Sequence, residues 1–271
     1  MPPRRHVLSG EMLFGLNEWL IVAIVIALLL FATEIGFRLG RRWQSKGNEP
    51  TRSQVNTLQA ASLGLLALLL GFTFSMAVTR FDTRKQLVLD EANAIGTTYL
   101  RAQLLPDPSR KEVSDLLRRY VDVRLELYQA GINRARLQKA EDDAEKLHKD
   151  LWSYAITTGG QDPRAIPTGL FIQSLNDVID LHSKRVTALK NHVPESIFIL
   201  LWTVAILSLA LVGYGAGLGG VRHLLPTVLS VILIASVILL IMDLDRPRRG
   251  LIKVSQQSMV DLQNSLKKVG P

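Results

Sequence analysis

Four long apolar stretches dominate the pattern of hydrophobic and polar positions along the chain. Residues 53–79, 196–221 and 224–242 contain no charged residue, over 27, 26 and 19 positions respectively. A further stretch, residues 19–37, is interrupted only by Glu34. Because about 20 apolar helical residues cross the roughly 30 Å hydrocarbon core of a bilayer, each stretch is long enough to span a membrane. The pattern therefore predicts four transmembrane helices.

The segment between the second and third spans has a different pattern, in which apolar residues recur every three or four positions. This spacing runs through residues 113–127 and 171–189, as expected for amphipathic helices that bury one face. His182 lies on the second of these faces and is predicted to be a core histidine. The same spacing follows directly after the second span, which we predict to continue beyond the membrane as one long helix. The glycines and prolines of residues 157–167 predict a loop.

These patterns predict an all-α fold in which a helical domain is inserted between the second and third of four transmembrane helices. The first predicted division, residues 1–79, contains an N-terminal segment, span one (about 19–37) and span two (about 57–79). A cytoplasmic helical domain follows over residues 80–195. Spans three and four occupy residues 196–243, and residues 244–271 form a cytoplasmic tail.

The net charge of +8 is distributed unevenly. Residues 1–54 carry 7 Lys or Arg against 4 Asp or Glu, residues 196–271 carry 7 against 3, and residues 80–195 carry 18 against 17. The positive excess therefore lies beside the apolar spans, which indicates a lipid bilayer and not nucleic acid as the partner. Near the membrane, twelve basic residues on the side of the termini oppose six on the other side. This asymmetry predicts that both termini are cytoplasmic.

Candidate chemistry is sparse, and we predict that the protein is not an enzyme and holds no cofactor or metal. The sequence has no cysteine and no G-x-S-x-G, H-E-x-x-H or P-loop pattern. Glu34 and Arg38 lie four residues apart near the end of the first span. That spacing favours a helical ion pair over a role in ion passage.

Two glycine patterns near the end of the third span match sequence motifs of known ligand sites. Gly215, Gly217 and Gly220 fit G-x-G-x-x-G, but no strand precedes them, and a tight turn between spans three and four is favoured over a nucleotide site. Residues 212–215 read Val-Gly-Tyr-Gly, as in the core of a potassium filter. Since they end a full-length span, we favour the interpretation that small residues let two helices approach closely.

The second span has two distinguishable faces. One is a stripe of small residues suited to close helix contact, namely Ala60, Gly64, Ala67, Gly71 and Ser75. The other is mainly apolar with two hydroxyl groups, and consists of Ser62, Leu66, Leu69, Thr73 and Met76, with Phe72 close to it. Periodicity alone leaves two interpretations of this second stripe. It faces lipid or a neighbouring helix, or it lines a narrow path whose apolar constrictions gate by dewetting.

Two motifs in the expected order carry a resemblance to the bestrophin-like family, a group of largely bacterial membrane proteins. The first is LVLDEANAIGTTYLRA at residues 87–102, followed by LLP at 104–106. The second is MDLDRP at 242–247, followed by GLIKVS at 250–255. The chain resembles this family over roughly residues 55–265, and its location is then expected to be the bacterial cytoplasmic membrane.

The resemblance implies a function, because true bestrophins form pentameric anion channels with two spans, a helical cytosolic domain, two more spans and a cytosolic tail. Their second span lines the pore. The expectation is therefore a homo-oligomeric, anion-conducting channel lined by Ser62, Leu66, Leu69, Phe72, Thr73 and Met76. The alternative is a non-conducting membrane protein whose cytoplasmic helical domain docks a soluble partner or senses stress.

The charged residues of the two motifs suggest a structural role. Glu91 and Arg101 are ten residues apart, nearly three helical turns, and so lie on roughly the same face. Asp243, Asp245 and Arg246 follow the last span. Our hypothesis is that these five residues form a buried polar network that clamps the cytosolic helices to the base of the membrane domain.

Overall fold

The computed structural model of the 271-residue chain describes residues 18–46, 48–131, 133–161, 165–246 and 250–268. Four of the basic residues that were counted for the orientation lie outside the described residues: Arg4, Arg5, Arg248 and Arg249. Residues 1–17, which precede the first predicted span, also lie outside them. The described residues form helices and connections, with no strand among them. The helices are α1 (Glu18–Arg42), α2 (Glu49–Ala102), α3 (Ser109–Gln129), α4 (Arg134–Gln161), α5 (Ile166–Lys190), α6 (Glu195–Gly219), α7 (Leu224–Leu244) and α8 (Gln257–Lys268).

The chain divides into two compact units. The first contains the described residues of 1–79 and 193–245, and the second those of 80–192 and 246–271. Helix α2 is continuous over 54 residues and contributes to both, which confirms that the second span continues as one long helix. The helices of the described residues include four that are long and apolar enough to cross a membrane. The prediction of an all-α fold is confirmed for the described residues, and four of their helices are candidates for the predicted spans.

Within the first unit, α1 and α6 pack with their backbones in direct contact. A Cβ atom added to Gly36 would lie 1.9 Å from the carbonyl oxygen of Ala210, and one added to Gly213 would lie 2.0 Å from that of Thr33. Gly40 and Gly217 are equally restricted. Only glycine fits at such positions, because a side chain would overlap the opposite backbone. The prediction of a close helix approach near residues 212–217 is therefore correct.

Two short-range expectations in this unit are also confirmed. Glu34 accepts a hydrogen bond from Nε of Arg38 at 2.7 Å, and a second cation, Arg222, lies 3.1 Å away. The carboxylate near the membrane boundary is therefore paired with two cations. Gly220 ends α6 with a φ of 73°, a left-handed conformation that glycine adopts without strain. The glycines of 215–220 thus include a helix-terminating turn.

The second unit is a helical bundle with its own apolar core. Ile95 of α2, Leu117 of α3, Leu151 of α4 and Leu175 of α5 are all fully buried, and Met259 brings α8 into the same core. The apolar stripes that the sequence shows are the faces that these helices turn inward.

One local prediction for this unit is wrong. Residues 157–161 are not a loop, because α4 continues to Gln161. Thr158 is buried, and its hydroxyl donates to the carbonyl oxygen of Tyr154 at 2.7 Å. Gly159 lies against Ile172 of α5. Packing against α5 therefore outweighs the helix penalty of the glycine pair, which is about 1 kcal/mol for each residue.

Candidate pore face and buried charge cluster

The stripe of α2 that was predicted to line a pore is turned largely toward its own protomer. Leu66 is 1% exposed and Thr73 is 3% exposed. The Thr73 hydroxyl donates to the carbonyl oxygen of Leu69 at 2.7 Å, and the carbonyl oxygen of Ser62 accepts a hydrogen bond from Ser208 of α6 at 3.2 Å. A side chain buried within one subunit is not available to line a path between subunits. For Leu66 and Thr73 this burial favours packing inside the protomer over the predicted pore-lining position.

The opposite face of α2 is open. Leu68 is 54% exposed and Phe72 is 65% exposed. They lie four residues apart, one helical turn, on a face that also exposes Leu65 and six side chains that are small or carry a hydroxyl group: Thr57, Ala61, Gly64, Gly71, Ser75 and Thr79. We call these nine residues the open face of α2. Of the six residues predicted for the pore, Phe72 belongs to it, and Ser62, Leu69 and Met76 are half-buried.

The small-residue stripe of α2 does not make the close contact that its composition suggested, at least within the described part of one chain. A Cβ added to Gly64 or Gly71 would meet no atom within 4 Å. The backbone contact of this unit is made instead by α1 and α6. The two glycines of α2 are therefore available to a surface outside the protomer.

A charge cluster lies inside the second unit, centred on Glu91 of α2. Arg124 of α3 places Nε 2.8 Å from one carboxylate oxygen of Glu91 and donates from Nη2 to the other at 3.1 Å. Arg185 of α5 donates to the same carboxylate from Nη1, and the hydroxyl of Tyr120 donates to it at 2.9 Å. Glu91 is completely buried. A buried carboxylate requires such partners, because the desolvation of an unpaired charge is too costly.

Two histidines extend the cluster. Nδ1 of His182 lies 3.2 Å from the hydroxyl of Tyr120, and the ring of His148 lies 4.8 Å from those of both His182 and Tyr120. His182 is thus mainly buried, as predicted, and it contacts a polar group. Among the described residues, no three His, Cys, Asp or Glu side chains come together in a way that could hold a metal ion.

The electrostatics of the cluster follow from burial and from the excess of cations. Burial raises the pKa of Glu91, but Arg124 and Arg185 outweigh this effect and hold it at about 2. Burial, followed by the charge of Arg124, lowers the pKa of both His148 and His182 to about 4. At neutral pH the cluster therefore contains one carboxylate, two guanidinium groups and two neutral imidazoles.

The five residues of the predicted network have the following contacts among the described residues. Glu91 pairs with Arg124 and Arg185, whereas Arg101 donates from Nη1 to the carbonyl oxygen of Leu170 at 2.8 Å. Asp245 accepts hydrogen bonds from the backbone amide of Val193 at 3.1 and 3.2 Å. Arg246 is buried and Asp243 is half-buried. The charged partners of Glu91 are thus Arg124 and Arg185, two arginines that the sequence analysis did not single out.

A signal for these partners was present in the sequence. Arg124 falls on the apolar face that Leu117 and Tyr120 define on α3, and Arg185 follows Val178 and His182 on α5 at helical spacing. A charged residue at a core position requires a buried partner of opposite charge. Glu91, which occupies the same kind of position on α2, is that partner.

Comparison with known proteins defines the family. A family model, the bestrophin-like domain, matches residues 25–259. No curated protein sequence matches the chain.

Solved structures share the fold. The structure of one membrane protein is similar to this chain with a TM-score of 0.69 and a sequence identity of 15%, and the match covers 92% of this chain and 98% of that one. Two structures of a bacterial bestrophin homologue from Klebsiella pneumoniae, one of a mutant, have TM-scores of 0.63 and 0.62 with 14% and 15% identity. They cover 92% and 93% of this chain and 98% of each neighbour. These structures share the fold, and the chain belongs to the bestrophin-like family.

Proposed function

We propose that the chain is one subunit of a homo-oligomeric, anion-conducting channel in a bacterial cytoplasmic membrane, with α2 along the pore. The observation that carries the proposal is the open face of α2. Its residues from Thr57 to Thr79 cover about 33 Å at 1.5 Å per residue, which matches the thickness of a bilayer core. A face of this length that combines small side chains, hydroxyl groups and three large apolar residues, Leu65, Leu68 and Phe72, suits a narrow ion path.

The proposed constriction is formed by Leu68 and Phe72. Repeated around an axis, two successive turns of large apolar side chains would form a hydrophobic neck, which closes when it loses water and conducts when it is wetted. The hydroxyl groups of Thr57, Ser75 and Thr79 lie toward the two ends of the same face and supply polar surface there. This assignment keeps Phe72 from the sequence-based set and replaces the buried Leu66 and Thr73.

Anion selectivity is supported by charge. Arg52 and Arg80 enclose the uncharged stretch of α2, and basic residues at pore mouths raise the local anion concentration. The subunit number is proposed to be five, as the resemblance to bestrophins implies. The helical domain of residues 80–195 and both termini are proposed to be cytoplasmic, following the distribution of basic residues.

The absence of cysteine from the sequence permits a direct test. Single cysteines at Ser75 and at Thr73 are introduced, and chloride flux is measured in proteoliposomes before and after treatment with a charged methanethiosulfonate reagent. We expect the reagent to change flux by several-fold through Ser75→Cys and to leave Thr73→Cys unaffected. Leu233→Cys, at a 67% exposed position of α7, is the control for an accessible site away from the pore.

The outcomes of this test separate the two faces of α2. Modification that acts through Thr73→Cys and not through Ser75→Cys would contradict the assignment of the open face and restore the original stripe. A reconstituted protein that forms stable oligomers and carries no chloride or other ion would contradict the channel itself.

A second candidate function is docking of a soluble partner at the helical domain. An open groove on the second unit is lined by His148, Lys149, Trp152, Ser153, Ile156 and Ile179, and Ile156 is 66% exposed. An exposed apolar groove beside a charged helix suits a partner segment of mixed polarity. Salt-dependent capture of a soluble protein that is lost in Ile156→Asp, together with absent ion flux, would favour this role over conduction.

A further inference from the structure

A small cavity in the second unit lies beside the charge cluster. It has a volume of about 30 Å³, and its wall includes Arg84 of α2, Arg124 of α3, Arg185 of α5 and Gln256 from the segment before α8. Most of the remaining wall is aliphatic, including Val88 and Leu127. All these residues belong to the second unit, and none of them is part of the open face of α2.

The charges of two wall residues, Arg124 and Arg185, are not balanced by the carboxylate that they share. Arg124 and Arg185 share a single carboxylate, that of Glu91. Glu141 acts on Arg124 as a weaker, more distant charge. Arg185 also donates to the side-chain oxygen of Gln256, and Arg84 donates to the carbonyl oxygens of Ala188 and Asn191 at 3.1 and 2.9 Å. Gln256 carries no full charge, so among the printed contacts of Arg124 and Arg185 the two guanidinium groups face one carboxylate and retain an excess of one positive charge.

Arg124, a residue of this wall, also has a donor group without an acceptor. Arg124 is 1% exposed, and its Nη1 group has no hydrogen-bond partner among the described residues. A buried guanidinium group with an unsatisfied donor is costly, because hydrogen bonds to charged groups are worth about 1.5–3 kcal/mol. The cavity wall therefore combines an unused cationic donor with an unbalanced charge.

We infer that this cavity binds one small monovalent anion of halide size, held by the guanidinium groups of Arg124 and Arg185. The volume supports a small ion, since 30 Å³ holds about two water molecules, which is room enough for one halide ion. A single negative charge would neutralise the excess, and Nη1 of Arg124 would gain its acceptor. Bound anion would stabilise the helical domain, because a ligand that binds only the folded state raises its stability.

The test measures the thermal stability of the full-length protein in detergent while sodium chloride replaces sodium gluconate at constant ionic strength. Gluconate is too large for the cavity, so only chloride should act. We expect a saturable rise of the unfolding temperature, about 3 °C when chloride exceeds its dissociation constant tenfold. Val88→Ile fills the cavity with an added methyl group and should abolish the rise. Val113→Ile, the same change at a buried position outside the cavity wall, should retain it.

Each other outcome overturns the inference. Equal stability in chloride and gluconate would mean that the cavity holds water only. A chloride effect that persists in Val88→Ile would place the anion elsewhere, for example in the proposed pore. If Val88→Ile does not fold, crystals of the wild-type protein soaked in bromide provide the measurement. An anomalous peak in contact with Arg124 supports the site, and a well-ordered map without one refutes it. Because no pore residue is changed, failure of this site and failure of the proposed channel are distinguishable.

Discussion

Replacing Glu91 by glutamine removes the carboxylate that Arg124 and Arg185 share, with almost no change in side-chain volume. The pKa of Glu91 is about 2, compared with 4.5 for an unperturbed glutamate. Since one pKa unit corresponds to 1.36 kcal/mol, the folded structure favours the charged form by about 3 kcal/mol. Removal of one member of a buried ion pair typically costs about 3–5 kcal/mol. We expect the free energy of unfolding to fall by that amount.

The loss of unfolding free energy in Glu91→Gln should be largest near neutral pH and smaller in acid. The pKa of Glu91 is lower in the folded protein, so its stabilising contribution is present above pH 4.5 and is lost as the pH falls toward 2. Glu91→Gln has no such group to titrate. The wild-type and variant proteins should therefore differ by the full amount at pH 7, and the difference should shrink in acid below pH 4.5.

Urea titration of the detergent-purified protein, followed by tryptophan fluorescence, measures this difference. Gluconate buffers prevent chloride from compensating the unbalanced arginines. Asp90→Asn is the matched control, because it makes the same chemical change one residue away, at a carboxylate that accepts a hydrogen bond from Gln86 at an exposed site. If the cost of Glu91→Gln lies within about 0.5 kcal/mol of the Asp90→Asn cost, the carboxylate is not essential to the buried cluster.

Three further perturbations have defined outcomes. His148 and His182 have a pKa of about 4, compared with the usual 6.5, so their contribution is complete above pH 6.5 and lost as the pH falls toward 4. Urea titrations should show a loss of about 1–2 kcal/mol per histidine between pH 7 and 5, and a stability that is flat over this range would contradict burial of neutral rings. Gly213→Leu should cost more than 3 kcal/mol or prevent folding, because its Cβ would lie 2.0 Å from a backbone oxygen of α1. Gly219→Leu, which has no atom within 4 Å, should purify normally with an unchanged unfolding temperature. Arg101→Ala removes one hydrogen bond to a carbonyl oxygen of α5 and should lower the unfolding free energy by about 1 kcal/mol. Unchanged stability would show that this bond contributes nothing.

Hydrophobic periodicity predicted the helices of this chain well, because long apolar runs and stripes at helical spacing leave few alternatives. The error at residues 157–161 has a physical cause. Gly159 and Gly160 lower the intrinsic helix propensity, but Thr158 is buried against the rest of the unit. The packing energy of α4 on α5 is a property of two helices and is not contained in either sequence alone. Pro167 then lies in the first turn of α5, where proline needs no donor.

The sequence indicates the helix that we propose to line a pore, but it does not show which face of that helix is exposed. Both stripes of α2 contain apolar and small side chains, so their composition does not show which one packs inside the protomer. The answer depends on α6, which contacts α2 through Ser62 and also through Gln59, whose side-chain amide donates to the carbonyl oxygen of Leu211 at 2.7 Å. Such contacts join residues about 150 positions apart in sequence. They fix the rotation of α2 and leave Leu68 and Phe72 exposed.

The charge cluster was found in part because its carboxylate lies in a recognisable motif. Its two arginines lie 33 and 94 residues further along the chain, in segments without a motif. Helical spacing shows that Arg124 and Arg185 occupy core positions, but it does not show that both turn toward the same carboxylate. That information arises only when α2, α3 and α5 pack together.

Helix α2 contains two groups of residues whose mutation should have different effects, one on ion flux and the other on stability. Leu68 and Phe72 are exposed in the protomer, so truncating them removes few contacts within the chain and should change ion flux more than the stability of the subunit. Glu91 is buried among charges, so its loss should lower the stability of the helical domain. A Glu91 variant with wild-type stability and altered flux would assign the cluster a part in conduction. Because unpaired buried charges are so costly, the structural role is the stronger inference from the geometry.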